Sequence, residues 1–326
     1  MARRRDEANE QLAVLKAAAE DGNHEALIQL VEEYLSSSCS IVAAEAAKLI
    51  PEQKLAVSKE TLLTAYERFL IDPTETDKGC RAKLPIVEAL SSLDYDDPDF
   101  YTAGTKYVQM EPMWGKSEDS AGNLRGACAF GLIRSRSASP AATMRTLVDL
   151  LNDPSPLTRT HAANAIGLMG SQATVPLLRF KIHVGDSHSE VLGECFRGLI
   201  EHDSSSGISF VSESLLAEPE IAIEAAMALG ESRKETAIES LLDAMKHCSS
   251  EVLEAFYITA GLSRVPAVLD FMIEHIRSNS PNACLAVRSL APNRFYPDIT
   301  TQVQAAVQQA GDQSVDAAFE EHFSKG

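Results

Sequence analysis

A phrase of small residues that returns along the chain constrains its fold more than any other feature. The fullest copy runs from Asp153 to Gly170: Asp153 or Ser155 can cap a helix, a proline opens it, apolar residues recur at helical spacing, and glycines close it. Ala129-Phe130-Gly131-Leu132-Ile133 repeats as Ala165-Ile166-Gly167-Leu168-Met169, placing Gly167 36 residues beyond Gly131. Further copies put Ile200 33 residues beyond Gly167 and Gly230 30 beyond Ile200, and Gly230-Glu231-Ser232-Arg233 returns 31 residues on as Gly261-Leu262-Ser263-Arg264. Weaker copies end at Lys48-Leu49-Ile50, Ala89-Leu90-Ser91 and Leu290-Ala291. About eight units result, more than the three or so that a stacked array needs. A helix with one narrow alanine-rich face cannot bury that face alone, so neighbouring units must cover it. The expectation is an all-α chain of stacked helix pairs.

At Arg159, Ala162, Ala163, Ala165, Ile166, Gly167 and Gly170 the phrase resembles the HEAT repeat, in the short form first noted in phycobilisome lyases. Later copies lose the arginine, with Leu192, Ala222 and Leu253 in its place. The resemblance covers the chain from about Ile41 to Ala291. It implies an α-α superhelix, a HEAT/armadillo-like solenoid of about eight helix pairs. It also implies that Arg159 pairs with the aspartate at its turn, Asp153. Some HEAT-like proteins are enzymes. Deoxyhypusine hydroxylase carries several His-Glu pairs, whereas this chain has only His24-Glu25, outside the regular repeats. Alkylpurine DNA glycosylases of this class use a basic groove with aromatics, which strong acidity and a single tryptophan argue against. An enzyme or enzyme accessory of the bilin-lyase type stays open as the alternative to a non-catalytic scaffold.

Because a solenoid grows by stacking, residues 1–326 are expected to form a single repeat domain despite their number. The formal charge is −18, shared between the halves as −7 over 1–163 and −11 over 164–326. Acid spread over both halves usually makes a solvated surface; the other reading is attraction of a basic protein partner, and duplex DNA is disfavoured, since its binders place about six to ten basic groups on phosphates. No run reaches the roughly 18 apolar residues of a membrane span. Arg3-Arg4-Arg5 is followed by Asp6-Glu7-Ala8-Asn9-Glu10 rather than by an apolar signal segment. The six cysteines show no C-x-x-C pair; Cys80, Cys128, Cys195 and Cys284 are expected on inner helices as packed free thiols, which suits a cytoplasmic protein.

Taken in order, residues 1–38 read as an atypical N-terminal cap pair, with helices over Asp6–Ala19 and His24–Leu35. The first regular inner helix, Ile41 to Leu49, is expected to stop at Pro51, and an outer helix follows over Ser58–Leu70. Pro85 must either kink the next inner helix or mark its first turn. Residues 94–122 depart from the repeat as an insertion-like segment rich in aspartate and aromatics. Phe100, Ala103, Tyr107 and Met110 are spaced as the buried stripe of an outer helix, with Tyr101 off that stripe and Trp114 in a turn before the next inner helix. Inner helices are then expected near 123–133, 157–169, 189–201, 219–230, 250–261 and 281–290. Outer ones are expected near 140–151, 173–183, 207–217, 234–247 and 266–277, and residues 292–326 as a C-terminal cap.

No nucleotide loop, nucleophile elbow or metal-ligand spacing is present, so no cofactor and no metal is expected. His188, Glu190 and Glu194 lie close in sequence, but a spacing of two on a helix points side chains apart. The repeat register instead aligns Arg125, His161, Glu194 and Glu224 in one column and Asn164 with Arg197 in a second. With Tyr101 and Trp114, these eight residues are the candidate binding set for a protein partner lying along the inner helices.

Overall fold

The computed structural model describes residues 2–113 and 115–323, without the side chains of 2–5 and 113. Trp114 therefore lies outside the described residues. Among the described residues the chain is all-α but for one hairpin, and its contacts fall into two compact units, Met1–Ala165 and Ile166–Gly326.

In the first unit, α1 (Ala2–Asp21) and α2 (His24–Leu35) form one pair, and α3 (Ser40–Gln53) and α4 (Lys59–Arg68) the next. A short helix, α5 (Pro73–Thr76), leads to α6 (Lys83–Ser92) and α7 (Pro98–Gly104). Strands β1 (Met110–Met113) and β2 (Lys116–Asp119) then pair antiparallel, Met110 opposite Asp119, before α8 (Gly122–Arg134) and α9 (Pro140–Leu150). The division between the units falls within α10 (Pro156–Met169). Helices α1, α3, α6 and α8 pack in succession as the inner layer, and α2 packs on α4 in the outer one. Small residues make this approach possible: α3 buries Ala43, Ala44, Ala46 and Ala47 beside Val42 and Ile50, and alanine lets helix axes come to about 8–10 Å.

The second unit repeats the plan through α11 (Thr174–Val184), α12 (Ser189–His202), α13 (Ser204–Glu213), α14 (Pro219–Ser232) and α15 (Glu235–Ala244). It continues with α16 (Ser250–Ser263), α17 (Pro266–Arg277), α18 (Ala283–Leu290), α19 (Pro297–Ala310) and α20 (Gln313–Phe323). Here α12, α14, α16, α18 and α20 stack as the inner layer, while α13, α15, α17 and α19 stack outside. One apolar core runs between the layers, from Leu192 and Phe196 through Leu229 and Phe256 to Val303 and Val315.

Three sequence expectations need correction. Pro51 lies inside α3 and does not stop it. The proline forgoes one backbone hydrogen bond near the end of the helix, and the helix closes two residues after Glu52, at left-handed Lys54, with the Leu55 amide donating to the Ile50 carbonyl at 2.9 Å. The stripe Phe100–Met110 is not one helix, since α7 ends at Gly104 and the chain turns into the hairpin. Side-chain anchors override the helical spacing: the Asp119 carboxylate accepts from the Gln109 and Ala121 amides at 3.0 Å each. Of the cysteines, Cys128 and Cys195 are buried on inner helices, but Cys80 is buried in the turn before α6 and Cys284 is exposed on α18. Pro85 falls in the first turn of α6, where a missing amide costs little.

A buried polar network fixes the irregular segment to the repeats. Lys83 and Asp77 are fully buried and paired at 2.8 Å, and the Lys83 ammonium also donates to the Phe69 carbonyl at 3.1 Å. The Asp77 carboxylate accepts from the Ala82 and Lys83 amides at 2.7 and 3.1 Å. Gln109 donates to the Asp77 carbonyl at 2.9 Å and to the Glu111 carboxylate at 2.6 Å, and accepts from the Tyr107 hydroxyl at 2.9 Å.

Candidate functional site: the inner-helix faces

In the second unit the register brings three candidate residues into one cluster. Helix α12 buries Val191, Leu192, Cys195, Phe196, Leu199 and Ile200, which turns Glu190, Glu194 and Arg197 to its other side. The Arg197 guanidinium meets Glu194 at 3.3 Å, Glu224 of α14 at 3.8 Å and Glu231 at 2.7 Å. Gly193 leaves the space for this: a Cβ there would stand 2.0 Å from a Glu224 carboxylate oxygen. Burial alone would loosen the Arg197 proton, but Glu231, Glu194 and Glu224 outweigh it and hold it more firmly. Glu224 is pushed above the usual carboxylate range by burial and by Glu190, Glu194 and Glu231, with Arg197 opposing.

Glu231 was missed by the sequence reading, which placed it in the closing phrase of its repeat and outside either column. It stands seven residues beyond Glu224, two helical turns along the same face, and that spacing was the available signal.

In the first unit the candidates divide differently. Arg125 is 2% exposed and serves as an internal clamp, bound to Asp119 at 2.6 Å, to both oxygens of Asp153 at 2.7 and 2.9 Å, and to the Tyr107 carbonyl at 2.9 Å. A residue so enclosed is not available to a partner, which corrects its place in the column. Tyr101 is likewise fully buried, with its ring under Gly131, where a Cβ would come within 2.1 Å. Phe100 meets it edge-on at 5.3 Å. His161 and Asn164 are half-buried on α10; the His161 ring stands 3.3 Å from the Asn123 side-chain oxygen and edge-on to Phe130 at 5.6 Å. Arg159 donates to the Asp153 and Pro154 carbonyl oxygens at 2.9 and 3.2 Å, and the Asp153 carboxylate binds Arg125.

Two open clefts of the units bear on function. One, of about 380 Å³, lies between the ends of α14 and α16, lined by Met227, Glu231, Arg233 and Leu262 among others. The other, of about 490 Å³, lies between α1 and α3 with Leu12, Leu15, Ile41 and Leu49 at its base and Lys16, Glu45 and Lys48 at its rim. Among the described residues no group of three or more His, Cys, Asp or Glu side chains is placed to hold a metal ion, and no helix is long and apolar enough to cross a membrane.

Comparison with known proteins agrees with the repeat architecture. Residues 116–206 match the family model described as HEAT repeats. No curated protein matches the chain. Two solved structures, each titled as an engineered protein, are similar: one is 18% identical with a TM-score of 0.37, covering 96% of this chain and 92% of that one. The other is 15% identical with a TM-score of 0.21, covering 89% and 97%. With inner and outer helices stacked through each unit, the chain is an array of helix pairs, and its residues 116–206 match HEAT repeats.

Proposed function

We propose that the chain is a non-catalytic interaction module that holds a basic segment of a partner protein against its inner helices. The observation that carries this reading is the cluster at Arg197, where Glu224 of the same inner layer and Glu231 both lean on one guanidinium. The second unit has 11 basic and 22 acidic residues, so its field attracts a cationic segment before contact. A lysine or arginine entering beside Glu224 would offset the burial and, to a lesser degree, the neighbouring carboxylates that raise its pKa.

The test is a pull-down from native extract at low and moderate salt, comparing the wild type with a Glu224→Gln, Glu231→Gln variant. A basic protein retained by the wild type at low salt, and lost both in the variant and at moderate salt, supports the reading. Equal retention by both baits overturns it. Co-purification of a small coloured compound without any protein favours the lyase-type alternative.

A further inference from the structure

The second unit carries seven arginines, and four of them reach carboxylates: Arg179, Arg197, Arg277 and Arg288. Among the described residues, Arg233, Arg264 and Arg294 have no such partner. They close successive inner-layer segments, 31 and 30 residues apart, so the repeat sets them along one edge of the unit. In a unit of this acidity, three arginines left without carboxylates are unexpected.

Backbone conformation sharpens the point. Arg233 and Arg264 are left-handed, with φ of 52° and 56°, and are two of seven non-glycine residues with positive φ among the described residues. Glycine fills the same helix-ending place at Gly170 and Gly311. An L-residue is strained there and glycine is not. A cation at a helix C-terminus gains from the dipole, but a lysine or arginine in the preceding turn would gain as much without the strain.

The edge is also apolar and aromatic. Leu262 is 50% exposed, Phe295 73% and Tyr296 46%. The Arg264 guanidinium lies over the Tyr296 ring at 5.1 Å and donates to its hydroxyl, and Arg294 lies over Phe295 at 4.4 Å. These contacts hold the guanidinium planes in place with donors still available. Beside them opens the cleft of about 380 Å³ with Met227 and Leu262 on its walls and Arg233 at its rim. Glu231, which also lines this cleft, is paired with Arg197.

We propose that this edge, Arg233, Arg264, Leu262, Phe295 and Tyr296, docks a short acidic peptide segment of a partner protein. Its carboxylates pair with the guanidinium forks, and one apolar side chain enters the cleft against Met227 and Leu262. Charge selects the occupant. Planar carboxylates match arginine forks; a short peptide brings only a few negative charges toward a unit with twice as many acidic as basic residues, whereas a continuous phosphate backbone would meet that repulsion along its whole length. This surface adjoins the Arg197 cluster at Glu231, which lines the cleft, but it offers other cations to a partner of opposite charge.

The experiment is a fluorescence-anisotropy titration of the full chain with a labelled peptide alternating glutamate with leucine and phenylalanine. The controls are the same peptide with glutamine for glutamate and a labelled single-stranded oligothymidylate. The decisive variant is Arg233→Gly with Arg264→Gly, which suits the left-handed backbone and so keeps the fold. We expect saturable binding of the acidic peptide, weakened about tenfold or more in the variant and in the glutamine peptide, while the melting temperature of the variant stays equal or rises. Equal affinity for wild type and variant, absence of saturable binding, or tighter binding of the oligonucleotide would each overturn the proposal. A fall in melting temperature with unchanged affinity would assign the arginines to helix capping instead.

Discussion

The Arg125 guanidinium grips both carboxylate oxygens of Asp153 at 2.9 and 2.7 Å, joining the inner helix of one repeat to the turn that opens the next. Its remaining nitrogen holds Asp119 at the end of the hairpin and the Tyr107 carbonyl. One side chain thus ties three segments together from a position 2% exposed.

Removing that side chain should be costly. Arg125→Met leaves Asp119 and Asp153 facing each other without their common cation, and we expect a loss of about 3–5 kcal/mol, the usual cost of breaking a buried pair from one side. Arg125→Lys should recover little of it, because an ammonium cannot span two carboxylates as a planar fork does. Urea-denaturation midpoints of the two variants check both statements.

The same reasoning applies to Lys83, fully buried against Asp77. Lys83→Met should destabilise by about 3–5 kcal/mol, and should also raise hydrogen exchange at the amides of residues 107–120, which the network anchors. Unchanged exchange there would show that the hairpin is held by its own strand pairing alone.

Acid should unfasten this region. Burial pushes Asp119 upward, but the Gln109 and Ala121 amides and the Arg125 guanidinium outweigh it and hold the carboxyl below its usual value. Glu111 is likewise lowered: burial opposes, and the Gly79 amide, Gln109 and Ser120 prevail. A carboxyl depressed in the folded state stabilises above its unfolded pKa, and the stabilisation is lost as pH falls through the folded value. Melting temperature should therefore drop from about pH 4 downward, and less steeply in Asp119→Asn, which should already be less stable at pH 7.

Packing gives a prediction of opposite chemistry. Ala163 is fully buried, and Ala163→Leu should overpack its site and cost about 1–3 kcal/mol. Gly131→Ala should cost a similar amount, since its new methyl meets the buried Tyr101 ring. A thermal melt of each variant beside the wild type is sufficient, and an unchanged midpoint in either would show that its site can relax.

The thiols should separate by burial. Cys128 and Cys195 are pushed up to about 12 and Cys80 to about 11, each chiefly by burial, whereas Cys284 is exposed. A thiol reagent at neutral pH should modify Cys284 first and reach Cys128 and Cys195 only on unfolding, as peptide mapping of the modified chain would show.

The sequence by itself determined the helices and their pairing. Period, caps and closing small residues are local, so α2 and α17 fall at the residues that spacing predicts, and the regular units from α8 onward follow within a few positions. It also placed Glu194, Arg197 and Glu224 near one another, because the repeat carries equivalent residues to equivalent places. Only the tertiary structure decided which of the aligned side chains face outward. Arg125 and Glu194 share a register position, yet one is enclosed by two aspartates while the other stands beside an arginine. The hairpin is hidden for the same reason: Phe100 to Met110 has helical spacing, but Gln109 is held away from it, its amide donating to the Asp119 carboxylate and its side chain to the Asp77 carbonyl. Spacing encodes what a residue meets on its own helix, whereas burial and ion pairing depend on side chains that arrive from tens of residues away.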